Sequence, residues 1–270
     1  MHSQRITSRL VVIAAALALG CNAQDTTQPT ATGSEQATSD AVPAADAIAP
    51  SASASQVSSP PGLPEFPGPD AFVRVVDNPL FPLPLGRRLI YHGHDGTDPT
   101  TVITDVTRDH KTILGVPVVV VLDRVFVDGE LTEKTFDWYA QDKHGNVWYF
   151  GEDTKEFENG KVVSTAGSFE AGKNGAKAGI IMRAHPKVGV VTPQEFAVGV
   201  AEDKARVVDK NVTVTVPYGT FHHCIKTAEF TPLEPDVLEN KWYCPGAGIT
   251  READVKGGSV VTALARIVQR

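Results

Sequence analysis

The chain has 270 residues, of which 41% are hydrophobic and 21% are charged, and its formal net charge is −7 at pH 7. This length and apolar content are enough for one sizeable domain, or at most two, and the lack of a basic excess argues against nucleic acid as a partner. The 3 cysteines are an odd number, which is explained if one is an anchor and two form a disulfide.

The first 21 residues have the pattern of an export signal. Arg5 and Arg9 give a positive start, and residues 10–19 form an apolar run that is too short for a permanent transmembrane helix. The run ends in Ala18-Leu19-Gly20-Cys21, which resembles a bacterial lipobox with Ala18 where Leu is usual. The pattern predicts that Cys21 is lipidated and anchors the chain to a membrane. Cleavage by the ordinary signal peptidase, with free secretion, is the alternative.

Residues 22–70 form a low-complexity segment rich in Ala, Ser, Thr, Pro and Gln, without Lys, Arg or His. This composition buries too little apolar surface to offset the entropy of ordering. We therefore predict a disordered linker over residues 22–70, followed by a single domain over residues 71–270. The expected location is the periplasm or the cell surface, lipid-anchored rather than freely secreted, where disulfides are stable.

The predicted domain is a succession of short strands joined by turns, and its periodicity favours no helix of about ten or more residues. The predicted strands cover residues 87–91, 100–107, 116–127, 132–139, 147–150, 161–165, 179–182, 195–199, 204–208, 212–216, 224–230, 238–244, 248–255 and 259–268. Strands that are neighbours in the sequence pair most readily. The expected fold is therefore all-β, an antiparallel meander forming a barrel, half-barrel or curved sheet.

The strands 224–230 and 238–244 give the most specific structural prediction. An antiparallel pairing of these strands about Glu234 places Cys224 directly opposite Cys244. Directly opposed residues lie about 4.5–5.5 Å apart at Cα, which is within the range for a disulfide. We therefore predict a Cys224–Cys244 disulfide; the alternative is two buried free thiols.

Histidines at strand ends form a candidate metal site. His92 and His94 are two residues apart on a strand and so point to the same face. With Asp98 they are similar in spacing to the first cupin motif, and the stretch ending in His222 is similar to the core of the second. The set His92, His94, Asp98 and His222 would hold one transition metal ion (copper, iron, manganese or zinc). His223 is an alternative ligand, and exposed histidines at strand ends are the simpler interpretation.

Two tryptophans flank a predicted turn at residues 142–146. Trp138 and Trp148 are expected to face each other across this hairpin about Lys143, with the adjacent tyrosines on the opposite face. Aromatic pairs of this kind stabilise sheets. Trp138 and Trp148 would therefore line the core or a cup, or alternatively stack on a ligand.

Four stretches of the predicted domain resemble a family of uncharacterised exported bacterial proteins and lipoproteins. They are Asn78–Leu83 (NPLFPL), Asp137–Asp142 (DWYAQD), Gly145–Glu152 (GNVWYFGE) and Trp242–Gly248 (WYCPGAG). The last is also similar to the end of a wider group of periplasmic domains, which are curved antiparallel sheets loosely like the lipoprotein-carrier half-barrel. The resemblance covers most of residues 78–268, implies an all-β domain, and implies no activity.

The sequence presents no Ser-His-Asp or Cys-His pattern of a catalytic centre. The expectation is an exported, lipid-anchored β-cup protein that binds an unknown small-molecule or protein ligand outside the cytoplasm. A metal-binding protein or metalloenzyme using the histidine set is the alternative, and a purely structural envelope protein stays open.

Overall fold

The structure, a computed structural model, describes residues 61–270. The predicted signal peptide, Cys21 and most of the predicted linker lie outside the described residues. Within residues 61–270 the helical structure is one short 3₁₀ turn, Pro69–Ala71. No helix in this part of the chain is long and apolar enough to cross a membrane.

Sixteen strands form the described domain, and every pairing between them is antiparallel. They are β1 Phe72–Val73, β2 Arg87–Asp95, β3 Asp98–Ile113, β4 Val116–Val127, β5 Glu130–Asp142, β6 Val147–Glu158, β7 Lys161–Ser164, β8 Phe169–Glu170, β9 Lys177–Met182, β10 Val191–Pro193, β11 Glu195–Phe196, β12 Lys204–Val216, β13 Gly219–Phe230, β14 Leu238–Cys244, β15 Gly248–Lys256 and β16 Val260–Gln269. The predicted all-β antiparallel fold is confirmed.

Two meanders make up most of the sheet. The first runs in sequence order from β2 to β6, and the second runs in sequence order from β12 to β16. The last strand, β16, pairs with β2 along its length, from Val260 opposite Asp95 to Gln269 opposite Arg87. Pairing of sequence neighbours explains each meander, but the join between the first and last long strands could not be read from sequence order.

A short segment joins the two remaining edges of the sheet. β10 pairs with β12 and β11 pairs with β9, while Gln194 alone separates β10 from β11 in the chain. The segment passes so close to β9 that a Cβ on Gly179 would lie 2.3 Å from the Gln194 carbonyl oxygen. The sheet therefore curls into a nearly closed barrel, with a long join at β16–β2 and a short join at β10–β11.

Alternation of side chains gives the barrel wall an inner and an outer face. The larger apolar core fills part of the interior and includes Leu89, Val121, Tyr139, Ile225 and Leu264. A smaller core lies on the outer face of the first meander and β9 and includes Trp138, Trp148, Phe150 and Ile180. Phe66 and Phe72 cover this outer core, with ring centroids 5.8 Å apart. Packing of Phe66 brings part of the predicted linker against the domain.

The β13–β14 hairpin has the predicted register. Lys226 lies opposite Trp242, and beyond the paired residues Cys224 and Cys244 form a disulfide with a Cα–Cα distance of 4.2 Å. Both cysteines belong to the inner core and are buried. The predicted disulfide is therefore confirmed.

The β5–β6 hairpin corrects the predicted tryptophan pairing. Trp148 lies opposite Ala140 rather than Trp138, because the turn is centred one residue later than predicted. The Asp142 carboxylate fixes this turn by accepting hydrogen bonds from the backbone N–H groups of His144 and Asn146, each at 2.9 Å. A shift of one residue at the centre moves every cross-strand partner by two.

Candidate functional site

Residues 76–83, which we call the strap, form a loop at one end of the barrel, where the Leu83 N–H donates to the Val76 carbonyl oxygen at 2.9 Å. The side-chain oxygen of Gln141 accepts hydrogen bonds from the backbone N–H groups of Asp77 at 2.9 Å and Asn78 at 2.7 Å. The Asn78 side chain donates to the Gly145 carbonyl oxygen at 2.8 Å. On the other side, the Pro79 carbonyl oxygen accepts from the Gly246 N–H at 2.8 Å. The four stretches that resemble the exported family therefore meet at or beside this strap.

A pocket opens between the strap and the barrel wall. The empty space in and around this half-open pocket, counted together with the open solvent at its mouth, is about 450 Å³. Most of its wall is apolar, and the lining includes Phe81, Leu83, Leu89, Val121, Tyr139 and Ile249. Three polar side chains, Thr104, Asp123 and Asp137, also line it. An apolar wall with a few polar groups is the usual composition of a small-molecule site.

Asp123 is one of the two acids in this pocket. It lies on β4 among inward-facing valines, is 4% exposed, and accepts a hydrogen bond from the Thr104 hydroxyl at 2.7 Å. Burial raises the pKa of Asp123 to about 7; the Thr104 hydrogen bond opposes this shift and the charge of Glu252 adds to it. Near neutral pH this carboxyl can therefore donate a hydrogen bond or carry a charge.

Asp137, the second acid, shares a hydroxyl group with Glu152. The Tyr149 oxygen lies 2.6 Å from Asp137 Oδ1 and 2.8 Å from Glu152 Oε2. A phenol has one proton to donate, so the second contact requires a proton on one of the two carboxyls. Burial first, and then the charges of neighbouring acids, raise the pKa of Asp137 and of Glu152 well above the ordinary range. We infer that this trio holds an extra proton at neutral pH.

These acids belong to a larger set inside the barrel, which we call the acidic belt. The belt consists of eight buried carboxyl side chains: Asp123, Glu133, Asp137, Glu152, Glu195, Glu229, Glu239 and Glu252. Lys241 is the one buried lysine or arginine among the described residues. If all eight acids were ionised, the interior would carry a large uncompensated negative charge.

Lys241 stands among three carboxylates of the belt. Its Nζ lies 3.3 Å from Glu229 Oε2, 3.3 Å from Glu239 Oε2 and 3.7 Å from Glu252 Oε1. Burial by itself lowers the pKa of Lys241, but the three carboxylates outweigh it and hold the pKa well above the ordinary value. Lys241 is therefore an ammonium ion in direct contact with these three acids. Its charge also lowers the pKa of Asp123 and Asp137, although neither of them forms an ion pair with it.

The predicted metal ligands lie on the surface and are not brought together. His92 and His94 are both exposed on the outer face of β2, and His222 is exposed on β13, where its Nδ1 lies 3.2 Å from the Thr213 hydroxyl. Asp98 begins β3 and contacts the Thr97 hydroxyl. Three strands separate β13 from β2 in the sheet, which corresponds to roughly 19 Å across the wall. Within residues 61–270 no group of three His, Cys, Asp or Glu side chains is arranged to hold a metal ion.

The two tryptophans are placed in the outer core. Trp138 is 7% exposed and Trp148 is 3% exposed. The Trp148 Nε1 donates to Asp142 at 2.9 Å, and the Lys111 ammonium lies 3.6 Å from the centre of a Trp138 ring. Neither tryptophan lines the pocket. Their contacts are those of a packed core that supports the pocket wall from outside.

The sequence interpretation missed the acids of the pocket. A signal was present in β4, where the inner face reads Val119, Val121, Asp123 and Val125. A carboxylate inside such an apolar alternation is unusual, because burial of an unpaired charge is costly. Asp137 gave a similar signal, since it shares its face of β5 with Tyr139.

Comparison with known proteins gives two structural matches of low similarity. One is a protein from Bacteroides fragilis described as exported and as having a YmcC-like fold, with a TM-score of 0.42 and 16% identity over 70% of this chain and 98% of that one. The other is a protein from Parabacteroides distasonis described as a lipoprotein, with a TM-score of 0.39 and 15% identity over 70% of this chain and 98% of that one. No family model and no curated protein matches the chain. The strand pairing of the chain itself therefore defines its fold.

Proposed function

We propose that this protein is an exported, lipid-anchored binding protein whose ligand occupies the pocket under the strap. The pocket itself is the observation that carries the proposal: an apolar wall that reaches two buried acids at the barrel interior. The ligand is a small molecule with an apolar body and a polar end. Burial of the body provides the binding free energy, and the acids orient the polar end.

Export of the chain is supported by the signal-like start, by the pattern that ends in Cys21, and by the Cys224–Cys244 disulfide. Disulfides persist in extracytoplasmic compartments. The names of the two structural matches, an exported protein and a lipoprotein, point the same way. Lipid attachment at Cys21 would hold the barrel near a membrane surface, with the low-complexity linker between them.

Binding of 1-hexanol to the purified protein tests the pocket. Ligand-observed NMR should give a saturable signal with wild type, because the apolar wall buries the alkyl chain. Ala247 lines the pocket, so Ala247→Leu should occupy the space and abolish the signal.

The matched control is Ala228→Leu, because Ala228 lies between the buried Thr227 and Glu229 on β13 and faces outward. This variant should bind 1-hexanol as wild type does. Equal binding by Ala247→Leu and Ala228→Leu would place the probe elsewhere and refute the pocket as its site.

A metal-binding role is the second candidate and rests on His92 and His94, which share the outer face of β2. Two imidazoles on one face are a partial ligand set for a transition metal ion. About one equivalent of copper, iron, manganese or zinc should then survive desalting and be lost in His92→Ala and His94→Ala. Wild type that retains none of these metals after loading would refute this role.

A further inference from the structure

The pocket ends at an interior with an excess of acidic groups. The acidic belt has eight carboxyls, and the ammonium group of Lys241 is within 4 Å of three of them. The two acids that line the pocket, Asp123 and Asp137, are not among those three. A positive charge placed against these two acids would have no competing basic side chain in contact with it.

Glu195 is an acid of the belt whose carboxyl oxygens lack hydrogen-bond partners among the described residues. It lies on β11 in the short join of the barrel and is 1% exposed. Among charged neighbours, Glu195 has the largest effect in raising the pKa of Glu152. Glu195 therefore faces the belt beside the Asp137–Tyr149–Glu152 trio.

Other acids of the belt have unpartnered oxygens as well. Within the described residues, Glu133 Oε2, Glu152 Oε1 and Glu252 Oε1 are buried without a hydrogen-bond donor, although Glu252 lies 3.7 Å from the Lys241 ammonium. Buried acceptors left unpaired are destabilising, and more so when they are charged. A bound donor or cation is the simplest way to lower that cost.

We propose that the ligand of the pocket is an organic cation, with an apolar body against the pocket wall and a protonated amine against Asp123 and Asp137. This inference rests on the proposed function, because it specifies the polar end of the molecule that the pocket binds. Charge and hydrogen bonding both select the amine. An ammonium group donates up to three hydrogen bonds, and the unpartnered atoms of the acidic belt, on Glu133, Glu152, Glu195 and Glu252, are acceptor oxygens. The apolar wall selects an alkyl or aryl amine over an inorganic ion.

Binding of the amine displaces protons from the pocket. The charged groups that act on Asp123 and Asp137 are Arg124 on β4, Glu133 on β5, Glu152 on β6, Glu195 on β11, Lys241 on β14 and Glu252 on β15. An ammonium ion offsets the burial and repulsion that raise the pKa of the pocket acids. A carboxyl that was protonated then ionises, and its proton passes to the buffer.

Three probes of equal chain length test the inference: n-hexylamine, 1-hexanol and hexanoate, titrated into the purified full-length protein at pH 7.5. The amine should bind about tenfold more tightly than the alcohol, equivalent to about 1.4 kcal/mol, because a charge-assisted hydrogen bond is stronger than a neutral one. Hexanoate should bind more weakly than the alcohol. Calorimetry in two buffers of different ionisation enthalpy should show proton release with the amine and none with the alcohol.

The variants Asp123→Asn and Asp137→Asn should reduce the amine-to-alcohol affinity ratio towards one while both probes still bind. The control Asp153→Asn removes a half-exposed acid of β6 that pairs with Lys155 at 2.9 Å, and should leave the ratio unchanged. If either pocket variant fails to fold, proton release by wild type decides the question on its own.

The outcomes separate this inference from the proposed function. Equal binding of amine and alcohol, or tighter binding of hexanoate, would refute an organic cation as the ligand but would still support the pocket as a ligand site. Binding of calcium or zinc that excludes the amine overturns it in favour of an inorganic ion. Binding of none of the three probes overturns the cation and the pocket together.

Discussion

Lys241 is the residue on which the interior charge depends most directly. It is 4% exposed and contacts three buried carboxylates. Removal of one partner from a buried ion pair leaves the other charge unpaired, which is strongly destabilising. The barrel interior therefore depends on this lysine more than on any of the exposed ion pairs.

Lys241→Met should lower the free energy of unfolding by about 3–5 kcal/mol, measured by urea denaturation at pH 7.5. The control is Lys155→Met, which breaks a half-exposed pair with Asp153 and should cost less than about 1 kcal/mol. Similar losses in the two variants would contradict the assigned importance of Lys241.

The buried acids that lack a basic partner should make the folded protein less stable as the pH rises. The acids of ordinary ion pairs have the opposite effect, because their stabilisation is lost as the pH falls. Burial raises the pKa of Glu133 to about 8, with opposition from the Thr135 hydrogen bond and reinforcement by Asp123 and Glu156, whereas Glu ordinarily titrates near 4.5. Between these values the folded protein keeps a proton that the unfolded chain loses. The corresponding stability is fully present below about pH 4.5 and is lost as the pH rises to about 8.

Glu133→Gln imitates the protonated acid and should remove this loss. The variant should exceed wild type by about 3–5 kcal/mol in unfolding free energy at pH 8.5 and differ by less than about 0.5 kcal/mol at pH 4. Urea denaturation at both pH values is the measurement. A variant less stable than wild type at pH 8.5 would show that Glu133 is ionised at little cost.

Asp105 is a control for Glu133, because its effect on stability should have the opposite pH dependence. Burial raises the pKa of this partly buried acid, but the Arg88 and Arg124 guanidinium groups outweigh burial and lower it. The stability that Asp105 contributes is therefore present above its ordinary pKa and is lost as the pH falls. Asp105→Asn should destabilise the protein at pH 7.5 and have little effect at pH 2.5, the reverse of the Glu133→Gln pattern.

At the scale of elements, the β13–β14 hairpin is stabilised both by its own disulfide and by packing against the inner core. Its disulfide links residues 20 positions apart in the sequence and lies in the inner core between β12 and β15. A loop of this length restricts the unfolded chain by about 3 kcal/mol on the chain-entropy model. The hairpin therefore stabilises the second meander as a unit.

The double variant Cys224→Ala, Cys244→Ala should lower the unfolding midpoint by about 6–12 °C, measured by circular dichroism. Reduction of the wild-type protein before heating should reproduce most of the change, because it removes the same link. An unchanged midpoint in the double variant would mean that the link adds nothing to the packing around it.

The long strands could be predicted from the sequence because their periodicity is local. Strands 116–127 and 238–244 have their predicted bounds, since Val-rich alternation and flanking Pro and Gly residues define both ends. The strands β1, β8 and β10 were missed because each has only two or three residues. Segments so short have no periodicity, and their pairing is decided by neighbours far away in the chain.

The same division between local and distant information explains the candidate site. The cysteine pair was predicted because one hairpin determines it, as the pairing of Lys226 with Trp242 shows. The pocket joins the strap to β4, β5 and the start of β15, and no local pattern reports that these meet. Alternation indicated that Asp123 shares a face with apolar residues, but closure of the barrel is what buries it.

At the scale of the whole molecule, the anchor decides where the barrel works. Cys21→Ala in the native host should move the protein from the membrane fraction to a soluble extracytoplasmic fraction, because the acyl attachment site is lost. Fractionation followed by immunoblotting is the measurement, and Cys224→Ala with Cys244→Ala is the control that keeps the anchor. Continued membrane association of the Cys21→Ala protein would contradict lipidation at this residue.

The two joins of the barrel differ greatly in length, and this has a kinetic consequence. The wall at β10–β11 is held by a few backbone hydrogen bonds, whereas β16 and β2 pair from end to end. Local opening of a protein begins where the fewest interactions must break. Amide hydrogens of Glu195 and Phe196 should therefore exchange with deuterated solvent before those of β2. Opening at the β10–β11 join would also give a ligand too bulky for the mouth under the strap a second route into the barrel.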